Sequence, residues 1–211
     1  MASSRTRRPR VTPRKRPAQA RSRETVRAVL EAAARIFEER GAAAATTDAI
    51  ARRAGVSIGS LYQYWPSKEA LLAELGACHV LAAHAALAPA RERLARGAPP
   101  DEAIPALVGA MVDLHASRPR LHRVLWEDGV LGDDARHAVA ALHRSVCDAL
   151  ARWLAARHDV DVSDAALAAR VACDALAALA HGVALSRRGG AAPRAVREIE
   201  TLLRRYLTGR D

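Results

Sequence analysis

The residues of this chain that are best suited to hydrogen bonding with a partner lie close together in the N-terminal third of the sequence. They are small, polar or aromatic, and on a helix they share one outer face: Ser57, Gly59, Ser60, Tyr62 and Gln63. Serine and glutamine side chains carry the donors and acceptors that pair with base edges in a major groove. The pattern therefore predicts a surface that binds DNA through hydrogen bonds.

The elements around this face are typical of a helix-turn-helix. A first short helix ends at Gly55, because glycine takes the left-handed conformation that such a turn needs. Thr46 and Thr47 are candidate caps for that helix, Ser57 caps the second helix, and Pro66 ends it. The apolar residues that would pack between the two helices are Ile50, Ala51, Ala54, Val56 and Leu61. The alternative interpretation is a helical hairpin with no role in DNA binding.

This stretch resembles the DNA-binding domain of the TetR/AcrR family of bacterial transcriptional regulators. The match is carried by Thr47, Ile50-Ala51, Ala54 to Ser57, Gly59 to Tyr64 and Pro66 to Leu71, with Trp65 where the family usually has phenylalanine. The resemblance implies that Thr47, Tyr64 and Lys68 hold DNA phosphates. For Tyr64, a place in the core of the DNA-binding domain is the alternative.

The positive charge of the chain is concentrated at its N-terminus. The net charge is +10 over 211 residues, yet residues 1–23 hold nine basic residues and no acidic one. Three prolines lie in the same segment, so we expect residues 1–20 to be a disordered basic arm. Two interpretations stay open for this arm: a solvated tail, or a segment that follows DNA phosphates or enters the minor groove.

Apolar periodicity predicts an all-α chain of nine helices. Residues 21–66 form the predicted DNA-binding domain, and residues 67–211 a helical ligand-binding and dimerisation domain. The fourth helix is predicted to run from Ser67 to about Leu87, where Pro89 breaks or kinks it. The last two helices, 164–187 and 193–207, carry enough apolar surface to form a four-helix bundle with a second copy. The resemblance implies the same dimer, whereas packing within one chain is the alternative.

A small-molecule effector would bind among the helices of the C-terminal domain. The candidate pocket residues are Met111, Leu125, Trp126, Trp153, Asp174 and His181. The alternative role for these residues is packing in the core. For Asp174 the alternative is an ion pair with Arg170, four residues earlier on the same helix. Asp133, Asp134 and His137 could share a helix face, but acidic residues at a helix start favour the helix dipole, so we predict no metal and no cofactor.

The patterns and the resemblance together predict a cytoplasmic, dimeric regulator that binds a palindromic double-stranded operator and is released by a ligand. That it is a repressor is what the resemblance implies. Three cysteines without metal spacing indicate reduced thiols. No uninterrupted run of 18 apolar residues occurs, which predicts no membrane partner. An enzyme would need a polar constellation that the sequence does not display. A helical partner-binding module, whose basic tail binds RNA or anionic lipid, is the alternative from another class.

Overall fold

The computed structural model describes residues 20–127, 132–160, 162–185 and 192–209. Within these ranges the chain is entirely helical, which confirms the predicted all-α class. The helices are α1 (Ala20–Ala44), α2 (Thr47–Ala54), α3 (Ile58–Tyr64), α4 (Lys68–Ala95), α5 (Pro100–Ser117), α6 (Pro119–Glu127), α7 (Asp133–Ala155), α8 (Ala165–Leu185) and α9 (Ala192–Thr208). The predicted basic arm falls almost wholly outside the described residues.

The helices pack into two compact units. The head comprises the described residues up to His79 together with 120–127 and 132–135, and the body comprises Val80–Pro119 and the described residues from Arg136 onward. The division between these two units falls inside α4, because Leu71, Leu72 and Leu75 belong to the apolar core of the head. Helix α6 contributes to the same core.

The core of the head is built from the apolar faces of α1, α2, α3 and α6 and from the first turns of α4. Phe37 of α1, Ile50 of α2, Leu61 of α3 and Leu125 of α6 are all fully buried. Helix α1 begins as an amphipathic helix and is interrupted at Gly41, whose φ of 72° and ψ of 171° are not helical. The chain then turns toward Ala45, which is also buried. The inner side of the helix-turn-helix, which carries Ile50 and Leu61, is thus packed into the core of the head. Its outer side is not covered by these contacts.

The predicted end of α4 near Leu87 is wrong, and of the two predicted effects of Pro89, a break or a kink, the break does not occur. The helix continues through the proline to Ala95. Proline removes one backbone donor and frees a carbonyl in the preceding turn. The residues after Pro89 offset that loss, because Ala90 and Leu94 are buried in the core of the body. Arg93 also donates a hydrogen bond to the Pro89 carbonyl, at 3.2 Å.

The body is an alanine- and leucine-rich helical bundle in which α5 packs against α8 and α9, and α8 against α9. Trp153 of α7 anchors the loop before α5, since its indole Nε1 donates to the Ala98 carbonyl at 2.8 Å. The Arg157 guanidinium stacks over the same indole, 4.9 Å from the ring centroid. Arg157 also donates to both carboxylate oxygens of Asp159, at 2.8 and 2.7 Å.

Two helical segments, Lys68–Ala95 and Ala165–Ala184, are long and apolar enough to span a membrane by length and composition. Core helices of soluble proteins meet the same criterion. In this chain Leu71 and Leu87 of the first segment, and Ala169 and Leu176 of the second, are buried inside the two cores. Packing within the chain therefore buries part of the apolar surface of each helix.

The Trp65 side chain is buried, yet its indole Nε1 has no hydrogen-bond partner among the described residues. A buried donor without a partner lowers stability, so removing it offsets part of the lost ring contacts. We expect Trp65→Phe to change the free energy of unfolding by less than about 1 kcal/mol and Trp65→Ala to lower it by about 3–5 kcal/mol. Urea denaturation followed by circular dichroism measures both values. Equal losses for the two variants would contradict this account.

Candidate nucleic-acid interface

Two side-chain caps and one glycine turn set the geometry of α2 and α3. The Thr46 hydroxyl accepts from the Ala49 amide at 3.2 Å and caps α2. The Ser57 hydroxyl accepts from the Ser60 amide at 3.1 Å and caps α3. Between them Gly55 takes a left-handed conformation, with φ 68° and ψ 29°. Of the two threonines named as candidate caps, Thr46 fills this role.

The predicted base-reading residues lie on the surface of the head. Ser57, Gly59, Tyr62 and Gln63 are exposed and Ser60 is half-buried, whereas Leu61 on the opposite side of α3 is fully buried. A Cβ placed at Gly59 would meet only the Ser57 hydroxyl oxygen, at 3.9 Å. The outer face of α3 is therefore largely exposed and open to a partner.

The structure adds Ile58 to this exposed set. The side chain of this first residue of α3 is 38% exposed although it is large and apolar. The sequence places Ile58 directly after the Ser57 cap, at the start of the helix that carries the polar face. That position alone did not predict exposure, because an apolar residue there is also compatible with burial. An exposed aliphatic group beside a polar face can contact a thymine methyl group.

A hydrogen bond between α2 and α3 orients the largest side chain of this face. The Thr47 hydroxyl lies 3.0 Å from the Tyr62 hydroxyl, so each side chain limits the rotamers of the other. Tyr62 is nevertheless 40% exposed. The pair presents two hydroxyl groups side by side at the point where the N-terminus of α2 meets α3.

Tyr64 has a different environment from the other predicted contact residues. Its side chain is 8% exposed and packs against Trp65, with ring centroids 5.6 Å apart. Its hydroxyl lies 2.6 Å from the Ser22 hydroxyl of α1. This environment agrees with the alternative of a core residue in the head, and a phosphate contact stays a prediction for Tyr64.

The Lys68 ammonium group is occupied within the head. Its Nζ donates to the carbonyl oxygens of Ala42, Ala43 and Ala45, at 2.9, 3.0 and 3.4 Å. These carbonyls lie at the C-terminal end of α1, where a positive charge is favourable. Lys68 thereby joins the start of α4 to the end of α1. A phosphate contact also stays a prediction here, and it requires exchange of these carbonyl partners.

An ion pair holds α2 against α1. Arg53 donates to a carboxylate oxygen of Glu39 at 2.6 Å. This hydrogen bond lowers the pKa of Glu39 and raises the pKa of Arg53, so both groups stay charged over the physiological range. The second ion pair of α2, between Arg52 and Asp48 at 2.9 Å, lies on the surface.

Two family models together match most of the chain. The model described as bacterial regulatory proteins, tetR family, matches residues 29–75. The model described as tetracyclin repressor-like, C-terminal domain, matches residues 99–207, which is more than half of the sequence. The chain belongs to the TetR family. As a TetR regulator it is a DNA-binding transcription factor, and the first match contains all of α2 and α3.

Solved structures of TetR proteins share this fold. A TetR-like transcriptional regulator from Rhodococcus sp. RHA1 is 25% identical and superposes with a TM-score of 0.65, covering 90% of this chain and 97% of that one. PfmR from Thermus thermophilus is 24% identical, with a TM-score of 0.65 and coverages of 92% and 99%. AibR, solved with isovaleryl coenzyme A and operator DNA, is 18% identical, with a TM-score of 0.66 and coverages of 85% and 97%. The search of curated proteins found no match.

The predicted pocket residues of this TetR protein are dispersed. Leu125 lies in the core of the head, whereas Met111 is buried in the body and Trp153 is hydrogen bonded to Ala98. Asp174 is exposed with its Oδ1 3.0 Å from His143 Nε2, and the ring centroid of His181 lies 6.0 Å from that of His115. The side chain of Trp126 is outside the described part of the structure.

An apolar cavity does lie in the body, but other residues line it. Its volume is about 10 Å³, which is room for one water molecule at most. The lining residues are Leu94, Ala103, Ile104, Leu107, Leu150, Ala172, Leu203 and Leu207. None of the six predicted pocket residues is among them, so their role in effector binding stays a prediction.

We expect Lys68→Met to lower the stability of the head by about 2 kcal/mol, because three carbonyls lose a charged donor. A phosphate contact from Lys68 in each subunit of a dimer would in addition reduce the slope of log K against log salt by about 1.8, whereas a purely intramolecular role would leave that slope unchanged. Urea denaturation and DNA titrations at several salt concentrations measure the two quantities. Lys68→Arg, which keeps the charge, is the matched control, and a flatter slope with unchanged stability would contradict the expectation.

Proposed function

We propose that this TetR protein is a dimeric repressor that binds a palindromic operator and is released by a small-molecule ligand. The observation that carries the proposal is the outer face of α3. It is polar and unpacked, while its inner face is anchored by fully buried Leu61. A short helix held in this way can enter a major groove without a change in the head.

The base contacts belong to the exposed side chains of α3. Gln63 offers both a donor and an acceptor, which suits an adenine edge, and Ile58 suits a thymine methyl group. Gly59 allows the helix backbone to approach the DNA closely. The paired hydroxyls of Thr47 and Tyr62 are suited to a phosphate, which sets register and affinity rather than sequence preference.

Dimerisation is proposed to occur through α8 and α9. Both helices carry large apolar side chains that are exposed in the single chain. They are Leu167, Val171 and Leu179 on α8 and Leu202 and Tyr206 on α9. Burying them against a second copy would remove this surface from water. A two-fold dimer carries two α3 helices, which implies two half-sites about one DNA turn apart or slightly more.

Ligand relief is proposed as a shift between two conformations of the dimer. The cavity lined by apolar residues of the body is too small for an effector in this conformation. A ligand that opens the body would favour the conformation in which it fits, and it can shift the equilibrium only by its differential affinity. The AibR structure, with an acyl coenzyme A and operator DNA, is a precedent for an effector and an operator on one such protein. The proposed compartment is the cytoplasm.

The Gln63 side chain offers the sharpest test of sequence recognition. We expect Gln63→Ala to weaken binding to the operator by roughly tenfold or more, because one base-edge contact is lost. Binding to scrambled DNA and the salt slope should not change, since glutamine is uncharged. The operator comes from a footprint on the DNA upstream of the gene at physiological salt, and fluorescence anisotropy gives the affinities. Ser117→Ala in the body is the control. Unchanged operator preference in Gln63→Ala would refute the proposal.

The dimer interface has its own test. We expect Leu202→Glu to convert the dimer to a monomer and to weaken operator binding by at least about a hundredfold, because a charge enters an apolar interface and two linked heads become separate. Leu81→Glu is the matched control, since Leu81 is 70% exposed and belongs to α4 rather than to α8 or α9. Sedimentation velocity measures the assembly. If Leu81→Glu dissociates the dimer, or if the dimer survives Leu202→Glu, the proposed interface between α8 and α9 of the two subunits is contradicted.

A further inference from the structure

The helix that is proposed to enter the major groove carries no positive charge. Residues 54–67, which include all of α3, contain no lysine, arginine or histidine. Contacts between phosphates and the side chains of lysine and arginine supply most of the non-specific affinity of a protein for DNA. In the proposed complex, the charge that holds α3 in a groove therefore has to come from other parts of the chain.

The cations nearest to α3 in the sequence are each engaged within the head. Arg52 lies 2.9 Å from Asp48, and Arg53 lies 2.6 Å from Glu39. The Lys68 ammonium group donates to three carbonyl oxygens at the end of α1. Each of these cations has to give up a partner before it can bind a phosphate, so part of the gain is offset.

The head as a whole has no net charge, whereas the predicted basic arm is strongly positive. Residues 21–79, 120–127 and 132–135 contain ten basic and ten acidic side chains. Residues 1–20 contain seven basic side chains and no acidic one. These seven are Arg5, Arg7, Arg8, Arg10, Arg14, Lys15 and Arg16. Most of the net charge of +10 thus belongs to the arm.

The described chain begins beside the C-terminal end of α3. The Ser22 hydroxyl of α1 lies 2.6 Å from the hydroxyl of Tyr64, which is the last residue of α3. Gln63, one residue earlier, is exposed on the proposed base-reading face. Twenty residues can span at most about 70 Å, whereas one turn of DNA rises about 34 Å. The arm therefore starts next to the proposed recognition helix and is long enough to reach the phosphates beside it.

The start of α1 also favours an anionic partner. Its first turn has no acidic residue and contains Arg21 and Arg23. The N-terminal end of a helix carries a partial positive charge, so these arginines add charge of the same sign. This arrangement is unfavourable in the single chain, and a nearby phosphate would offset it.

We propose that the basic arm of each subunit binds the phosphates beside its half-site and supplies most of the electrostatic affinity for DNA, while α3 supplies the sequence preference. The assignment rests on the proposed binding of α3 in a major groove. Phosphate contacts carry no sequence information, so the arm strengthens binding to the operator and to unrelated DNA by the same factor. RNA and anionic lipid attract the same charges, but DNA held at α3 lies where the arm begins.

The test compares two full-length arm variants with the wild-type protein. In the first, glutamine replaces all seven basic residues of the arm, and in the second, lysine replaces the six arginines, which keeps the charge. Fluorescence anisotropy gives the affinities for operator and scrambled duplexes at several salt concentrations, and circular dichroism checks that each variant is helical. We expect the glutamine variant to bind both duplexes at least about a hundredfold more weakly at about 50 mM salt. Its slope of log K against log salt should fall by about 6, which corresponds to phosphate contacts from half of the arm cations of a dimer.

The lysine variant should keep the wild-type slope, and neither variant should change the ratio of the operator affinity to the affinity for scrambled DNA. The exposed arginines of α7 give a further control, since Arg144→Gln with Arg152→Gln should change the slope by less than about 1. An unchanged slope in the glutamine variant, an equal loss of affinity in both arm variants, or a loss for the operator alone would overturn the proposal.

Failure of the proposed function would look different. The wild-type protein would then show no preference for an operator, and the measurements on scrambled DNA would still test the arm.

Discussion

The angle between α2 and α3 depends on one backbone turn. Gly55 takes the left-handed conformation, its amide donates to the Arg52 carbonyl at 3.2 Å, and the Val56 amide donates to the Ala51 carbonyl at 3.1 Å. Because the chain reverses within these residues, Ser57 can cap α3 at once. Leu61 then faces the head core, and the opposite side of α3 faces outward. The proposed base recognition therefore depends on a glycine that lies in the turn and not on the outer face of α3.

Features encoded within a few residues were predictable from the sequence. The turn at Gly55, the caps at Thr46 and Ser57 and the burial of Leu61 all arise from local hydrogen bonds or short apolar spacing, and the structure agrees with each. The exposure of Gln63 followed from the same helical period. Local chemistry is sufficient for such features because the groups involved are separated by less than two helical turns.

Features that join distant parts of the chain were not predictable in this way. Lys68 donates to carbonyls 23 to 26 residues earlier, and Trp153 donates to a carbonyl 55 residues earlier. A single sequence marks a lysine or a tryptophan as chemically capable but does not identify its tertiary partner. Pro89 shows the same limit, since the local cost of a proline in a helix was outweighed by burial of the residues that follow it.

The open space at Gly59 has a consequence for how such regulators diversify. The outer face of α3 contributes little to folding, whereas the inner face carries the packing. Under the proposed mode of DNA binding, substitutions at Ile58, Gly59 and Gln63 would change which DNA is preferred without first passing through an unstable intermediate. Gene duplication followed by drift at these few positions would yield paralogues with separate operators. The same freedom makes the head a suitable scaffold for building mutually orthogonal genetic switches.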